Sequence, residues 1–313
     1  MHINTDLVVK LLQLPRIGSK TATALLEHSG RGLATDQDLA AAVQDAAGKF
    51  RLPAYTPSDF QKAFQEGENI LAKSEREGIR ILSWYHQDYP PALRLMKREQ
   101  APLVLNVKGN LEALHDLTGV AVIGTRRPSE FGLQTAVKLG FLLGKAGFNV
   151  VSGLALGCDA AGHRGCLDAG GTTTAVLASG LDKVDPRANR ALAAEILDKG
   201  GALVSEYFVG ESARAGYFVE RDRIQAGLST CVTVVETGLQ GGTMHTAGFA
   251  LSYQRLLATI NHPPDKRSDS SLGNQQLLAE GKALGLASDA DISALIARLQ
   301  QVVVGTERQE VVI

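Results

Sequence analysis

The chain is predicted to fold as an α/β protein: a Rossmann-like, doubly wound, mainly parallel sheet preceded by a small helical N-terminal domain. Two observations predict this. From Gly119 onward, short apolar and β-branched runs alternate with longer helical patterns. These runs lack polar alternation, so their strands are expected to be buried on both faces, like parallel strands between helix layers joined by right-handed crossovers. Before Ile79, by contrast, apolar residues recur at helical spacing.

In the segment 1–78, Leu7, Val8, Leu11 and Leu12 mark one helix face, and Ala22, Leu25 and Leu26 mark another. Between them, Leu14-Pro15-Arg16-Ile17-Gly18-Ser19 resembles a helix-hairpin-helix turn, with Arg16 where the usual hairpin has a glycine. The first reading is a tight turn between packed helices. Contact of the second helix's N-terminal amides with a DNA phosphate is the alternative. A helix near 60–77 leads to a strand at 79–84. Prolines 90, 91 and 102 interrupt helix before a short strand near 103–108. Strands are then expected at 120–123, 149–151, 173–177, 202–204, 231–235 and 256–260. Helices are expected at 129–146, 159–169, 187–199, 220–226 and 243–254. A last amphipathic helix gathers Ile292, Leu295, Ile296 and Leu299 on one face, with Ser288 or Asp289 as its N-cap. The organisation expected is a helical domain over 1–78, a Rossmann domain over 79–286 and a helix with tail over 287–313.

Composition bounds the function. The chain has 313 residues, 44% hydrophobic and 21% charged, with a net charge of −1. Any nucleic-acid site must therefore be a local cluster of basic residues. Cys158, Cys166 and Cys231 are odd in number and lack C-x-x-C spacing, so neither a disulfide framework nor a metal site is expected. No signal-peptide pattern opens the chain, and no apolar run reaches the ~18 residues of a membrane span. A cytoplasmic protein with no membrane association and no cofactor is the expectation.

In an open α/β sheet, ligands sit beyond the carboxyl ends of the strands. The first such loop, Gly124-Thr125-Arg126-Arg127-Pro128-Ser129 with Gly132 beyond it, pairs a tight turn with two guanidiniums and a capped helix start. Guanidinium and helix N-terminus both favour phosphate. The second, Ser152-Gly153-Leu154-Ala155-Leu156-Gly157-Cys158-Asp159, opens the backbone again, with His163 one turn on. Asp159 also serves as a helix cap in the plainer reading, and His163 as a packing residue. Further candidates are Arg187, Asn189 and Arg190 after the third strand, and Phe218, Arg221 and Arg223. The glycine-rich Gly241-Gly242-Thr243 follows the fifth strand and Glu236. Between 119 and 260 there are 13 basic and 12 acidic residues, and six of the basic ones are Arg126, Arg127, Arg187, Arg190, Arg221 and Arg223. That grouping suits a backbone-tracking single strand, with Phe218 and Tyr217 as stacking faces. The absence of G-x-G-x-x-G after the first strand disfavours a nicotinamide dehydrogenase. The run 140–145 only faintly resembles a P-loop and sits inside a helix.

Together these loops resemble the DprA/Smf DNA-processing family. Residues 124–132 are similar to G-S-R-x-x-(S/T)-x-x-G, and 152–163 to S-G-L-A-x-G-I-D-x-x-A-H. Residues 180–189 resemble G-L-D-x-x-Y-P-x-x-N, and 205–207 match S-E-Y. Residues 218–229 resemble F-x-x-R-N-R-I-I-A-G-L-S. The resemblance runs from about Ile79 to Leu286. It implies a Rossmann domain that binds single-stranded DNA, forms a homodimer and helps load a RecA-type recombinase during natural transformation. Thr125, Asp185, Asp222, the Gly-Gly-Thr loop and Gln275 depart from the family pattern, Asp222 standing where it has asparagine. The Gly-Gly-Thr loop also resembles that of phosphoribohydrolases. The alternative is therefore a nucleotide sensor or N-glycosidic hydrolase, with phage defence as one setting and Glu236 as an acid.

Overall fold

The computed structural model describes residues 3–30, 32–115 and 118–310. Four helices come first: α1 (Thr5–Leu11), α2 (Ser19–Ser29), α3 (Asp36–Phe50) and α4 (Pro57–Arg76). Thr35 and Thr56 start α3 and α4 with reciprocal capping boxes to Asp38 and Asp59. In the α1–α2 turn, Arg16 takes a φ of 67°, the left-handed conformation a glycine adopts without strain. Arg16 thus holds a backbone conformation that favours glycine. Leu7, Val8, Leu25 and Leu39 share one core with Leu103 and Val104, so the helices pack directly onto the edge of the sheet. Thr5 Oγ1 donates to Ser83 Oγ at 3.0 Å across the same junction.

The sheet has nine strands: β1 (Ile79–Ser83), β2 (Val104–Gly109), β3 (Gly119–Ile123), β4 (Asn149–Ser152), β5 (Thr173–Val176), β6 (Ala202–Ser205), β7 (Cys231–Val234), β8 (Leu256–Ile260) and β9 (Leu284–Leu286). Their order is β1-β2-β6-β5-β4-β3-β7-β8-β9. β1 and β2 pair antiparallel with each other, as do β2 and β6, and every other pairing is parallel. The fold is the expected Rossmann-like sheet behind a helical N-terminal region. The remaining helices are α5 (Pro91–Arg94), α6 (Glu130–Lys145), α7 (Cys158–Asp168), α8 (Arg190–Asp198), α9 (Ala215–Gly227), α10 (Gly242–Ser252), α11 (Leu272–Ala279) and α12 (Asp289–Glu310).

Three local expectations change. β9 is only three residues long, too short to show periodicity, and it forms by pairing with β8. α9 begins at Ala215 instead of near 220, and the expected helix at 187–199 opens as a 3-10 turn over Arg187–Asn189. Leu295 and Leu299 are buried with Ile292 in one hydrophobic cluster with Val120 and Val122 of the same chain. Ser288 does cap α12, accepting from Asp291 N at 3.3 Å. No helix among the described residues is long and apolar enough to cross a membrane.

The glycines of the P-loop-like run serve packing. α6 and α7 approach so closely that a Cβ on Gly140 would lie 2.1 Å from the Gly162 carbonyl oxygen, and one on Gly165 would lie 1.9 Å from that of Val137. These helices flank β3 and β4, so their contact fixes where both loops emerge. Gly140→Ala is therefore expected to destabilise the fold by about 1–3 kcal/mol through overpacking. Thermal melting followed by circular dichroism checks this, and an unchanged Tm would show that the helix pair can separate freely.

Candidate functional site

The chain runs from β3 through β4 and β5 to β6 on one side of the sheet, then returns to place β7 on the other side of β3. Loops after β3 and β7 consequently diverge, and a crevice opens at the switch point. A cavity of about 660 Å³ lies there. Its walls are Gly124 to Arg127 after β3, Ala155 and Asp159 after β4, and Phe218, Arg221, Asp222 and Gln225 on α9. Thr237, Gly238 and Gln240 after β7 complete it with Gly241, Gly242, Thr243, His245 and Thr246 of the α10 start.

Glu236 ties the two principal loops together. It is buried, and its carboxylate accepts from Ser129 N at 3.1 and 3.2 Å, from Ser129 Oγ at 2.6 Å and from Ser270 Oγ. His262 Nε2 lies 3.8 Å away. Its backbone oxygen also accepts from Thr125 N at 2.8 Å. Burial alone would raise this carboxyl's pKa, but the donors from His262, Ser129 and Ser270 outweigh it and hold the group down to about 2. The expectation that Glu236 serves as an acid is thereby corrected, because it carries no proton to give near neutral pH. Gly132 makes room for it, since a Cβ there would meet Glu236 Oε2 at 2.0 Å.

Arg221 is a buried brace. Its Nη1 donates at 2.7 Å to the carbonyl oxygens of both Gly153 and Val176, and its Nε donates to Asp222 Oδ1 at 3.0 Å. Arg223 is spent on Glu206 and on Glu220, the latter at 3.1 Å. Both guanidiniums are held in ion pairs within the protein, and Arg221 also lines the cavity. Among the described residues, Asp222 makes its ion pair with Arg221. Burial pushes the Asp222 carboxyl up to about 6 despite the opposing pull of Arg221.

Other expected contacts also resolve into framework roles. His163 is fully buried. Thr173 Oγ1 gives its hydrogen to Val150 O at 2.6 Å, so it must accept from His163 Nδ1, also at 2.6 Å. Burial drives the imidazole's pKa down to about 3, leaving it neutral. Ser152 Oγ donates to Val122 O, Asn189 Nδ2 donates to Leu154 O, and Ser129 caps α6 through Gly132 N. Asp159 accepts from Gly153 N and Ala155 N instead of capping α7 as its first residue, and it still lines the cavity. Gly153 leaves the space that Arg221 fills, and Gly157, at φ 80°, passes beside the Thr125 and Arg126 backbone. Tyr217 stacks on Tyr207 with centroids 3.7 Å apart, which removes it as a platform.

What stays open is Arg126, Arg127, Phe218 and the Gly241-Gly242-Thr243 turn. The guanidinium of exposed Arg126 lies over the Phe218 ring, 5.3 Å from its centroid. Arg187 and Arg190 are exposed and line a neighbouring depression with Lys183 and Ser212. A small hollow bordered by Arg126, Phe218, Asp185 and Pro186 adjoins the crevice. In the sequence, Asp222 reads as a negative charge introduced beside Arg221 and Arg223, and Gln225, Gln240, His245 and Thr246 were missed. The 218, 222, 225 spacing would have placed Asp222 and Gln225 on the Phe218 face of α9, had its start been set at 215.

Residues 80–297 match the family model described as DNA recombination-mediator protein A. The chain belongs to that family. It is similar to Protein Smf of Escherichia coli strain K12, 37% identical over 217 residues, covering 69% of this chain and 57% of the relative. Protein Smf of Synechocystis is 37% identical over 199 residues, 63% of this chain and 49% of the relative. The chain thus spans about half the length of these curated relatives. Among solved structures, it resembles the X-ray structure of DNA processing protein A from Streptococcus pneumoniae. That likeness has TM-score 0.75 and 28% identity, with 94% of this chain and 98% of that chain covered. DNA processing protein A from Helicobacter pylori, described for its single-stranded DNA binding mode, gives TM-score 0.62 and 30% identity over 71% of this chain and 96% of that one.

The folded-state pKa of Glu236 lies below its ordinary 4.5, so its stabilisation is fully present above that pH and is lost as pH falls toward about 2. Glu236→Gln is expected to cost about 2–3 kcal/mol at pH 7, with the gap to the parent chain narrowing at pH 3. Urea unfolding at both pH values reads the two gaps. Equal gaps would show that the charge on Glu236 is irrelevant.

Proposed function

We propose that this chain binds single-stranded DNA at the switch-point crevice and acts as a recombination mediator. The observation that carries the reading is the Arg126–Phe218 pair at the crevice mouth. It sets an exposed guanidinium for phosphate against an aromatic face for a base, above glycine turns that admit a backbone closely. Arg127 adjoins it, and Arg187 and Arg190 extend the basic surface toward the β5 end. The phosphate track is therefore four arginines instead of six. Family membership and the Helicobacter pylori relative's described binding mode support the same ligand. On this reading the chain works as a homodimer that helps load a RecA-type recombinase in DNA uptake or recombination.

The competing nucleotide sensor or N-glycosidic hydrolase finds less support, because the carboxylate it would use, Glu236, is buried and fully engaged. The two readings separate on Arg126. Each phosphate contact removed flattens the log–log salt dependence of single-strand affinity by about 0.7. Arg126→Ala and Arg187→Ala are each expected to weaken mixed-sequence strands and flatten that slope, with Tm unchanged. Arg223→Ala should instead lower Tm, because it leaves the mostly buried Glu206 carboxylate without its ion-pair partner. Fluorescence anisotropy at several salt concentrations measures the slopes. Unchanged slope and affinity in Arg126→Ala would overturn the DNA track.

A further inference from the structure

Asp222 and Gln225 form one wall of the crevice. Both lie on α9, four and seven residues beyond Phe218, and both line the same cavity as Arg126 and Phe218. Asp222 Oδ1 is occupied, accepting from Arg221 Nε at 3.0 Å and from Gln225 Nε2 at 3.2 Å. Its other oxygen receives no hydrogen bond among the described residues and lies opposite the Gly242 turn, where a Cβ would stand 3.2 Å from it. Gln225 is 2% exposed, and its Oε1 is buried with no hydrogen-bond partner among the described residues. The amide cannot usefully turn over, because that would set Oε1 against the Asp222 carboxylate and lose the bond holding both side chains. One wall of the cavity therefore carries two acceptor oxygens, Asp222 Oδ2 and the buried Gln225 Oε1, with no hydrogen-bond donor among the described residues.

We propose that this wall makes the crevice prefer bases bearing an exocyclic amino group, such as cytosine, over thymine. The proposal rests on the single-strand reading above. An exocyclic amino group brings two N–H donors, and carboxylate acceptance from cytosine N4 is an established pairing. Thymine brings one ring N–H flanked by two carbonyl oxygens, which would face the carboxylate and leave a buried acceptor unpaired. A site built to hydrogen-bond a group rejects the analogue that lacks it, because its own buried polar atoms then go unsatisfied. The departure from the family pattern gains a meaning here. Asparagine at 222 would present both donor and acceptor and tolerate either base, whereas aspartate presents acceptors only.

The test is equilibrium binding of the full chain to labelled oligo-dC and oligo-dT of equal length. It is run at pH 8, where Asp222 is ionised, and at one fixed salt concentration. Oligo-dC is expected to bind roughly tenfold tighter, since each good base-edge contact discriminates by about 1–3 kcal/mol. Asp222→Asn should shrink the ratio to within about twofold, mainly by improving oligo-dT. Gln225→Ala, which keeps the Arg221–Asp222 pair, should shrink it as well, so the idea stays testable if Asp222→Asn melts early. Equal affinity for the two strands in the parent chain, or a ratio unmoved by either variant, overturns the base preference and leaves the single-strand reading standing. Failure to bind either strand overturns both. Competition by dCMP as strong per site as by oligo-dC would assign the wall to a free nucleotide and overturn the proposal as stated.

Discussion

The Arg221 guanidinium, 5% exposed, holds the site together. Parallel strands end with carbonyl oxygens that the next loop does not satisfy, and burying them unpaired is costly. One nitrogen of Arg221 answers the oxygens of Gly153 and Val176, which belong to the ends of two neighbouring strands, while another binds Asp222. A guanidinium can reach three acceptors at once because it is planar, with five donors in a rigid fork. Its positive charge is in turn tolerable only because Asp159 and Asp222 lie beside it. Breaking such a buried set costs several kcal/mol by stranding a charge. The position of α9, and with it Phe218, Asp222 and Gln225, follows from this tie.

Glu236 does the corresponding work across the other half of the crevice. It fastens the α6 start to the β7 end and brings in the 3-10 turn that carries Ser270. Two buried ionic anchors, one cationic and one anionic, thus frame a cavity whose remaining exposed groups are free to meet a ligand. Charged residues that looked like ligand contacts are the scaffold, and the exposed Arg126, Arg127, Arg187 and Arg190 are what the scaffold presents.

Several glycines make these anchors possible by leaving room. Gly132 yields to Glu236, Gly153 yields to Arg221, and Gly140 and Gly165 let α6 and α7 touch through their backbones. In sequence, Gly132 and Gly153 are indistinguishable from phosphate-cradling glycines, since both kinds sit in strand-end loops or helix starts. Gly238, Gly241, at φ 126°, and Gly242 line the cavity without a framework contact of comparable closeness.

The sequence by itself determined the sheet and its order of elements. Buried parallel strands must read as unbroken apolar runs, and right-handed crossovers leave few alternatives, so 120–123 and 256–260 were legible from composition alone. It also determined the capped start of α6 at Ser129 and the loops where ligand chemistry gathers. The tertiary structure decided which charged residues face outward. Arg221 and Arg126 are both arginines in strand-end motifs, yet one meets two carbonyl oxygens and the other meets solvent. That difference depends on which strands become neighbours, a long-range fact that local residue pattern does not encode. The same holds for His163, whose fate is set by Thr173 on the adjacent strand, and for Leu295, which is buried in the core of its own chain. Charge type and spacing are local, whereas desolvation is a property of the assembled layers.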